Sequence, residues 1–303
     1  MRADIDVTTG LARALLRAQH PDLLTRADAR LDVAAHGWDN VVMRLGDDLA
    51  LRLPRREAAA HLVEHEQAVL PVLAPRLPVP VPAPVRVGRP DPALGYPYAW
   101  SVVPWFDGET AARTPVAQRT AWAPALGRSL AALHVPAPSD VPANPFRGVP
   151  LAARVPAFAE RLVRADEPAR TIFEAAWAAG LAAPAYDGAA LWLHGDPHPG
   201  NVVVRVGAPG REDALAALVD FGDVTGGDPA SDLATAWLSF DAAGHAAFRA
   251  AYTASGGTDD DATWTRARAW AASLALALLA FPDDHPLMAE VGRHAVARLA
   301  AGA

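Results

Sequence analysis

The chain has 303 residues, of which 51% are hydrophobic and 20% charged, and its formal net charge at pH 7 is −7. A chain of this length and composition can bury a large core, and we expect it to form two lobes or domains. It has no cysteine, and all 27 of its basic residues are arginine. These absences exclude a disulfide scaffold, a thiolate metal site, a P-loop lysine and a Schiff-base lysine.

The excess negative charge lies in the last third of the chain. Residues 196–303 hold 14 acids and 7 arginines, whereas residues 1–195 hold 20 of each. A net negative chain is a poor partner for nucleic acid. The longest apolar stretch, Ala269 to Phe281, is too short to cross a bilayer, and the N-terminus carries acids where a secretory signal carries bases. We therefore expect a cytoplasmic protein without a nucleic-acid or membrane partner; its oligomeric state stays open.

The first hundred residues show the patterns of a small sheet with one main helix. Two apolar runs flank the turn Gly46-Asp47-Asp48 and predict a β-hairpin of Val41 to Leu45 and Leu49 to Leu53. A helical pattern follows from Glu57 to Leu73. A proline-rich segment, residues 77–82, then favours extended chain before further strands, which are predicted around Val85 and from Tyr98 to Val103.

The remainder of the chain is mostly helical in pattern. Thr114 and Pro115 predict the start of a helix that runs to about His134. A second proline-rich connector spans residues 135–150, and helical segments follow to about Gly180. Short strands are then predicted at Leu191 to His194, Val202 to Arg205 and Leu215 to Val219, with helices to the end. We place the boundary between an N-terminal lobe, residues 1–105, and a C-terminal lobe, residues 106–303.

Polar groups that suit a metal site follow two of these strands. The strand ending near His194 breaks into a loop rich in proline and glycine that carries Asp196 and Asn201. About twenty residues later, another apolar strand ends in Asp220. Two carboxylates and an amide, brought together by a β-turn-β unit, provide the oxygen ligands that Mg²⁺ prefers.

The order and spacing of these motifs resemble a known family. His194-Gly195-Asp196, then Asn201, then Asp220-Phe221-Gly222 are similar to the catalytic and metal motifs of the aminoglycoside phosphotransferase family and its macrolide-phosphorylating relatives. The resemblance extends over nearly the full chain, through three further segments: Leu51 to Arg56 with Glu66, Leu77 to Pro80, and Gly227 to Ala234. It implies an α+β, two-lobed protein-kinase-like fold with a small β-rich N-terminal lobe and a larger, mostly helical C-terminal lobe.

The same resemblance implies the reaction. The γ-phosphoryl group of ATP or GTP would pass, with Mg²⁺, to a hydroxyl of a small molecule, for which an antibiotic such as an aminoglycoside or a macrolide is the first candidate. Asp196 would orient the attacking hydroxyl or accept its proton, and Asn201 and Asp220 would hold Mg²⁺ against the nucleotide phosphates.

The nucleotide would be held mainly by the N-terminal lobe. Arg52 would contact the α and β phosphates, and Glu66 would hold Arg52 in place. Most kinases have lysine where this chain has Arg52, and the planar guanidinium differs from an ammonium in reach and pairing. The base would hydrogen-bond to the backbone of the segment between the lobes, at Val102, Val103 and Trp105.

Other interpretations of these residues stay open. Asp228 and Asp232 are expected to cap or tie down a helix, and His194 to orient its loop by hydrogen bonding. His194, Asp196 and His198 together could instead suggest a metal hydrolase, but this leaves Asp220 to Gly222 unexplained.

Other functions stay open too. The alternatives to an antibiotic kinase are a kinase of a cellular metabolite, such as an amino alcohol or a sugar, and a kinase-like protein that binds nucleotide without turnover. The acidic last third favours a cationic acceptor, with Asp259 to Asp261 either contacting it or complementing the N-terminus of a helix that begins near Ala262.

Overall fold

A computed structural model provides the fold and describes residues 3–26, 28–37, 39–207 and 213–302. The chain divides into two compact units. The first consists of Met1–Pro75, Val81–Phe106 and Asp220–Gly222, and the second of Arg76–Pro80, Asp107–Val219 and Asp223–Ala303. The predicted boundary lay after residue 105. Phe106 and residues 220–222 group with the first unit instead of the second, and residues 76–80 group with the second instead of the first.

The first unit is a five-stranded antiparallel sheet with two longer helices. The helices are α1 (Thr9–Gln19) and α2 (Glu57–Leu73), and the strands are β1 (Leu31–His36), β2 (Asn40–Leu45), β3 (Leu49–Pro54), β4 (Arg86–Gly88) and β5 (Trp100–Pro104). The strand order is β1-β2-β3-β5-β4. The predicted hairpin is confirmed as β2 and β3, where Val42 lies opposite Arg52.

Two elements of this unit, α1 and β1, were not predicted from the sequence. Helix α1 begins after Thr8, whose side chain accepts a hydrogen bond from the N–H of Leu11, and it buries Leu15 and Leu16 in the core of this unit. The expectation of one main helix is therefore wrong. Strand β1 buries only its first residue, Leu31, so it lacks the alternation of apolar and polar side chains that identifies a strand in sequence.

The second unit is mostly helical. Its helices are α3 (Ala123–Leu133), α4 (Val155–Leu162), α5 (Ala169–Ala182), α6 (Ala230–Leu233), α7 (Thr235–Ser239), α8 (Ala242–Ala254), α9 (Asp261–Leu278) and α10 (Pro286–Ala300). Its strands are β6 (Glu109–Thr110), β7 (Leu191–Leu193), β8 (Val202–Arg205), β9 (Ala214–Leu218) and β10 (Thr225–Gly227), in one sheet of order β6-β8-β9 and a pair β10-β7. The three strands predicted here are confirmed as β7, β8 and β9.

The helix predicted from Pro115 to about His134 is only partly correct. Residues Val116–Ala121 form a 3₁₀ helix, and α3 begins at Ala123. Thr114 does not cap α3, because its hydroxyl donates to the carbonyl of Ala111. The buried guanidinium of Arg119 binds the carbonyls of Thr114, Ala112 and Ser239. Such long-range side-chain contacts are invisible to a local helix pattern.

Aromatic contacts hold the helices of the second unit together. The rings of Phe158 on α4 and Trp177 on α5 stack with centroids 4.1 Å apart. His245 on α8 lies edge-on to Trp237 with a centroid distance of 4.5 Å. Among the helices of the described residues, none is long and apolar enough to span a membrane.

Candidate active site

A buried carboxylate fixes the start of the loop that carries Asp196. Asp232 on α6 is fully buried and accepts hydrogen bonds from the backbone N–H of His194 at 2.7 Å and of Gly195 at 3.0 Å. Its Oδ2 also lies 3.1 Å from Nε2 of His134. Gly195 has φ of 89°, and a β-carbon there would lie 2.2 Å from the carbonyl oxygen of Asp223. The loop therefore requires glycine before Asp196.

The ring of His194 orients the same loop, as the sequence predicted. Its Nδ1 accepts a hydrogen bond from the N–H of Asp196 at 3.2 Å, and its Nε2 lies 3.1 Å from the carbonyl of Val219, to which it donates. Both ring nitrogens are thus used. The described residues contain no cluster of three or more histidines, aspartates and glutamates that could hold a metal ion, so the metal-hydrolase interpretation has no support in this part of the chain.

The carboxylate of Asp196 lies beside Arg147 and His198 in the second unit. Arg147 donates to its Oδ1 at 3.0 Å, and Nε2 of His198 lies 3.5 Å from its Oδ2. Burial alone raises the pKa of Asp196, but the charge of Arg147, together with the nearby rings of His198 and His194, outweighs burial and holds that pKa below its ordinary value. Asp196 is therefore an ionised carboxylate at neutral pH, with about a fifth of its side chain exposed.

The side chain of Asn201 is oriented by a hydrogen bond to the backbone of Asp196. Its Nδ2 donates to the carbonyl of Asp196 at 2.9 Å, so its Oδ1 points away from that bond. The backbone on either side is fixed, because the N–H of Asn201 donates to His198 and its carbonyl accepts from Val219. An amide oxygen held in this way is a suitable ligand for a hard cation.

In the first unit, Arg52 bridges two carboxylates. Its Nε lies 2.8 Å from Oε2 of Glu66, and its second amino group donates to Oδ1 of Asp220 at 2.6 Å. Arg52 and Glu66 are buried, and Oε1 of Glu66 accepts from the N–H of Phe221 at 2.8 Å. Burial raises the pKa of Glu66 to about 7, although Arg52 opposes this, and the two carboxylates together raise the pKa of Arg52 despite its burial.

The backbone of Asp220 is unusual. Its φ is 64°, and it is the one residue other than glycine with positive φ in the described chain. Such a conformation costs free energy for most side chains and is concentrated at functional sites. Nearly half of the Asp220 side chain is exposed, whereas Arg52 beside it is buried. The strained backbone thus holds a carboxylate at the surface of this unit.

The segment predicted to bind the base is the end of β5 and the residues after it. Val102 and Val103 are buried and lie opposite Leu51 and Ala50 of β3. The carbonyl of Val102 accepts from Val85, and the N–H of Trp105 donates to the carbonyl of Asp48 at 2.8 Å. These two backbone groups are therefore already used within the sheet.

Asp228 and Asp232 differ from each other in their roles. Asp228 accepts from the N–H of Ala230 at the start of α6, as predicted, but it also forms a buried ion pair with Arg266 of α9 at 2.7 Å. Asp232 lies on α6 and ties this helix to the loop before Asp196 and to His134, which agrees with the structural role expected for it.

Sequence reasoning also missed Arg147 and Asn144. The side chain of Asn144 accepts from the N–H of Arg147 at 3.1 Å and donates to Oδ1 of Asp223 at 2.8 Å. Both residues lie in the proline-rich segment that the sequence suggested was a connector, and no local pattern marks their contacts.

The family is identified by comparison with known proteins. The phosphotransferase enzyme family (APH) matches residues 30–270, and the chain therefore belongs to it. The chain is a phosphotransferase with a hydroxyl acceptor, as the motifs around Asp196 and Asp220 predicted. No protein of curated function matches the chain.

Solved structures share the fold at low identity. One is the GDP complex of aminoglycoside 2'-phosphotransferase-IIIa, with a TM-score of 0.71, 16% identity, and coverage of 98% of this chain and 100% of that one. A GDP and kanamycin complex of a related enzyme has a TM-score of 0.70 and 17% identity over 96% and 98% of the two chains. Macrolide 2'-phosphotransferase MphH from Brachybacterium faecium has a TM-score of 0.57 and 21% identity over 96% and 98%. The predicted two-lobed, kinase-like α+β fold is confirmed.

Proposed function

We propose that this protein transfers the γ-phosphoryl group of ATP or GTP, with Mg²⁺, to a hydroxyl of a small molecule. The observation that carries the proposal is the shared loop of Asp196 and Asn201, in which the Asn201 amide donates to the Asp196 carbonyl at 2.9 Å. The carboxylate of Asp196 suits the attacking hydroxyl, and the amide oxygen of Asn201 suits the metal. Phosphoryl transfer depends mainly on positioning and charge neutralisation, and a rigid loop provides positioning.

Asp196 acts on the acceptor. Its carboxylate is ionised and held by Arg147, so it can accept a hydrogen bond from the attacking hydroxyl and orient that oxygen toward the γ-phosphorus. As the new P–O bond forms, the hydroxyl proton passes to Asp196. The nucleoside diphosphate leaves with the electrons of the broken P–O bond.

Asn201 and Asp220 would hold Mg²⁺. The oxygen chemistry of both side chains fits a hard cation, since Asn201 has its amide nitrogen engaged and nearly half of the Asp220 side chain is exposed. Bound Mg²⁺ neutralises the charge of the nucleotide phosphates. The positive φ of Asp220 fixes the direction of its side chain before the metal arrives.

Arg52 contacts the α and β phosphates, with Glu66 as its anchor. A buried arginine between two carboxylates keeps its charge and its orientation, which supports a role usually given to lysine in kinases. The base binds the backbone of residues 102–105.

The acceptor is the open part of the assignment. Aminoglycoside and macrolide phosphotransferases share the fold, which supports an antibiotic of those classes, and a cellular metabolite such as an amino alcohol or sugar is the alternative. The structure weakens a substrate role for the acidic cluster, because Asp260 caps α9 and Asp259 pairs with Arg249 at 2.8 Å. The cytoplasm, which supplies nucleoside triphosphates, is the proposed location.

A nucleotide-consumption screen tests the proposal. Purified protein is given Mg²⁺ with ATP or GTP and a panel of aminoglycosides, macrolides, peptide antibiotics and small metabolites, and phosphorylated products are identified by mass spectrometry. We expect at least one acceptor to gain a single phosphoryl group. If no acceptor raises nucleotide use above that of an Asp196→Asn variant, the kinase assignment fails.

A further inference from the structure

Three arginines of the second unit lie between residues 147 and 161, and the first of them contacts Asp196; we call them the arginine cluster: Arg147, Arg154 and Arg161. Arg147 donates to Asp196 at 3.0 Å. Its neighbour in the chain, Phe146, has the guanidinium of Arg154 over its ring at 5.3 Å. Arg154 ends the 3₁₀ turn before α4, and Arg161 follows it by seven residues, about two helical turns, on the same face.

The charges of the cluster act on one another. Burial lowers the pKa of Arg154, and the charges of Arg161 and Arg147 lower it further. Burial and the charge of Arg147 also lower the pKa of Arg161, against the opposing effect of Glu160. The pKa of Arg147 is instead raised, against its burial, by the charges of Asp196 and Asp223, so the positive charge without a carboxylate partner lies at Arg154 and Arg161.

Arg154 is buried without a partner for its hydrogen-bond donors. It is 8% exposed, and its Nε is buried with no acceptor. The two amino groups of Arg154 donate no hydrogen bond to any residue that the structure describes. Arg266 is the useful contrast, since it is equally buried but binds Asp228, the carbonyl of Pro184 and the hydroxyl of Thr263. A buried donor without an acceptor is costly, and Arg154 lacks the carboxylate and carbonyl partners that Arg266 has.

We propose that the arginine cluster binds an anionic group of the acceptor, a carboxylate or a phosphate ester, and so brings the acceptor's hydroxyl to Asp196. This inference rests on the proposed function. Guanidinium groups match carboxylate and phosphate oxygens by paired hydrogen bonds. Arg147 belongs to the cluster and also contacts Asp196, so an anion bound there lies beside the carboxylate that orients the hydroxyl.

The cluster narrows the choice of acceptors. A polycationic aminoglycoside would meet like charges on this side of Asp196, whereas a hydroxylated acid or a sugar phosphate would meet opposite ones. The cluster therefore favours the metabolite alternative, with an anionic group added to the sugar or alcohol.

A binding experiment tests the cluster without any turnover. Inorganic phosphate is titrated into the full chain saturated with Mg²⁺ and a non-hydrolysable ATP analogue, which fills the γ-phosphate position, and the melting temperature is followed. We expect phosphate to stabilise the parent and an Arg164→Gln control, whose side chain is exposed on the same segment. Arg154→Gln and Arg161→Gln should each weaken phosphate binding about tenfold or more. Equal stabilisation in all four proteins, or none in the parent, overturns the proposal.

A kinetic experiment then separates the acceptor from the nucleotide. Acceptors are compared in pairs that differ by one anionic group, such as glucose with glucose 6-phosphate and with glucuronate. We expect the anionic member to have a KM lower by about tenfold or more, and Arg154→Gln to remove that advantage with the nucleotide KM unchanged. A preference for the neutral member, or a rise in nucleotide KM alone, contradicts the proposal. If no acceptor is phosphorylated, the proposed function fails and the phosphate titration alone decides the anion site.

Discussion

The carboxylate of Asp232 accepts a hydrogen bond from the backbone N–H of His194 at 2.7 Å. Because Asp232 also binds the next N–H, that of Gly195, one buried side chain fixes the backbone two residues before Asp196. The geometry of the loop that carries Asp196 therefore depends on a buried residue of α6.

The first prediction concerns Asp232→Asn. The change replaces one accepting oxygen with an amino group that cannot accept from a backbone N–H, and a buried unsatisfied group costs about 1–3 kcal/mol. We expect urea unfolding to show a loss of this size, and kcat to fall at a temperature where the variant is folded. Asp187→Asn, at an exposed position, is the control and should match the parent. Parent-like stability and kcat in Asp232→Asn would show that these hydrogen bonds do not fix the loop.

The second prediction concerns Arg52, which lies between Glu66 and Asp220. Arg52→Lys keeps the charge but loses the fork that reaches both carboxylates, so we expect the nucleotide KM to rise about tenfold. Arg52→Ala should also lose stability, by about 3–5 kcal/mol, because it leaves Glu66 buried without its partner. Arg55→Ala is the matched control, because Arg55 lies directly after Pro54, the last residue of β3. If all three variants behave alike, the phosphate role of Arg52 is wrong.

A third prediction addresses the metal through Asp220→Asn. Asparagine tolerates positive φ, so the backbone is preserved while the carboxylate charge is removed. We expect the Mg²⁺ concentration for half-maximal activity to rise about tenfold or more, because a hard cation prefers a charged oxygen ligand. Titration of activity with Mg²⁺ measures this. An unchanged midpoint would rule out Asp220 as a ligand.

The fourth prediction is a dependence of stability on pH. Burial, with the charges of Arg298 and Arg249, lowers the pKa of His245 from 6.5 to about 4. Between these pH values the unfolded chain binds a proton that the folded chain does not, so stability is complete above pH 6.5 and falls as pH drops toward 4. The loss is about 3 kcal/mol for a shift of this size.

Replacing His245 by glutamine tests this dependence. The free energy of unfolding of parent and variant is measured between pH 7 and pH 4.5, where other groups contribute equally to both. We expect the parent to lose more stability than His245→Gln, whereas His61→Gln, at an exposed position of α2, should follow the parent. Parallel curves for parent and His245→Gln would mean that folding does not lower the pKa of His245.

The strands and motifs of this protein could be predicted where the signal is local. The hairpin of β2 and β3 and the bounds of α2 follow from apolar periodicity. The segment from His194 to Asn201 is recognised by the spacing of its histidine, aspartate and asparagine. What stayed hidden depends on contacts between distant residues. Arg147 approaches Asp196 from a proline-rich segment, 49 positions away. Asp232 lies on α6, and nothing in the sequence around it shows that its carboxylate binds the backbone of His194.

The 3₁₀ helix before α3 shows the same limit in the fold. Thr114 and Pro115 have the residue types of a helix start, and local pattern alone favours one. Arg119 overrides that preference by binding carbonyls of residues 112, 114 and 239. Its partner at residue 239 is 120 positions away, so only the folded chain reveals the contact.

The central claim is that Asp196 orients the acceptor hydroxyl for phosphoryl transfer. The most direct test measures kcat for the best acceptor, together with nucleotide affinity, in the parent and in Asp196→Asn, which keeps the shape of the side chain but removes its charge. We expect kcat of Asp196→Asn to fall by about 10²–10⁴-fold, as for other positioned bases, while nucleotide affinity stays within about twofold. Equal kcat in parent and variant would contradict it.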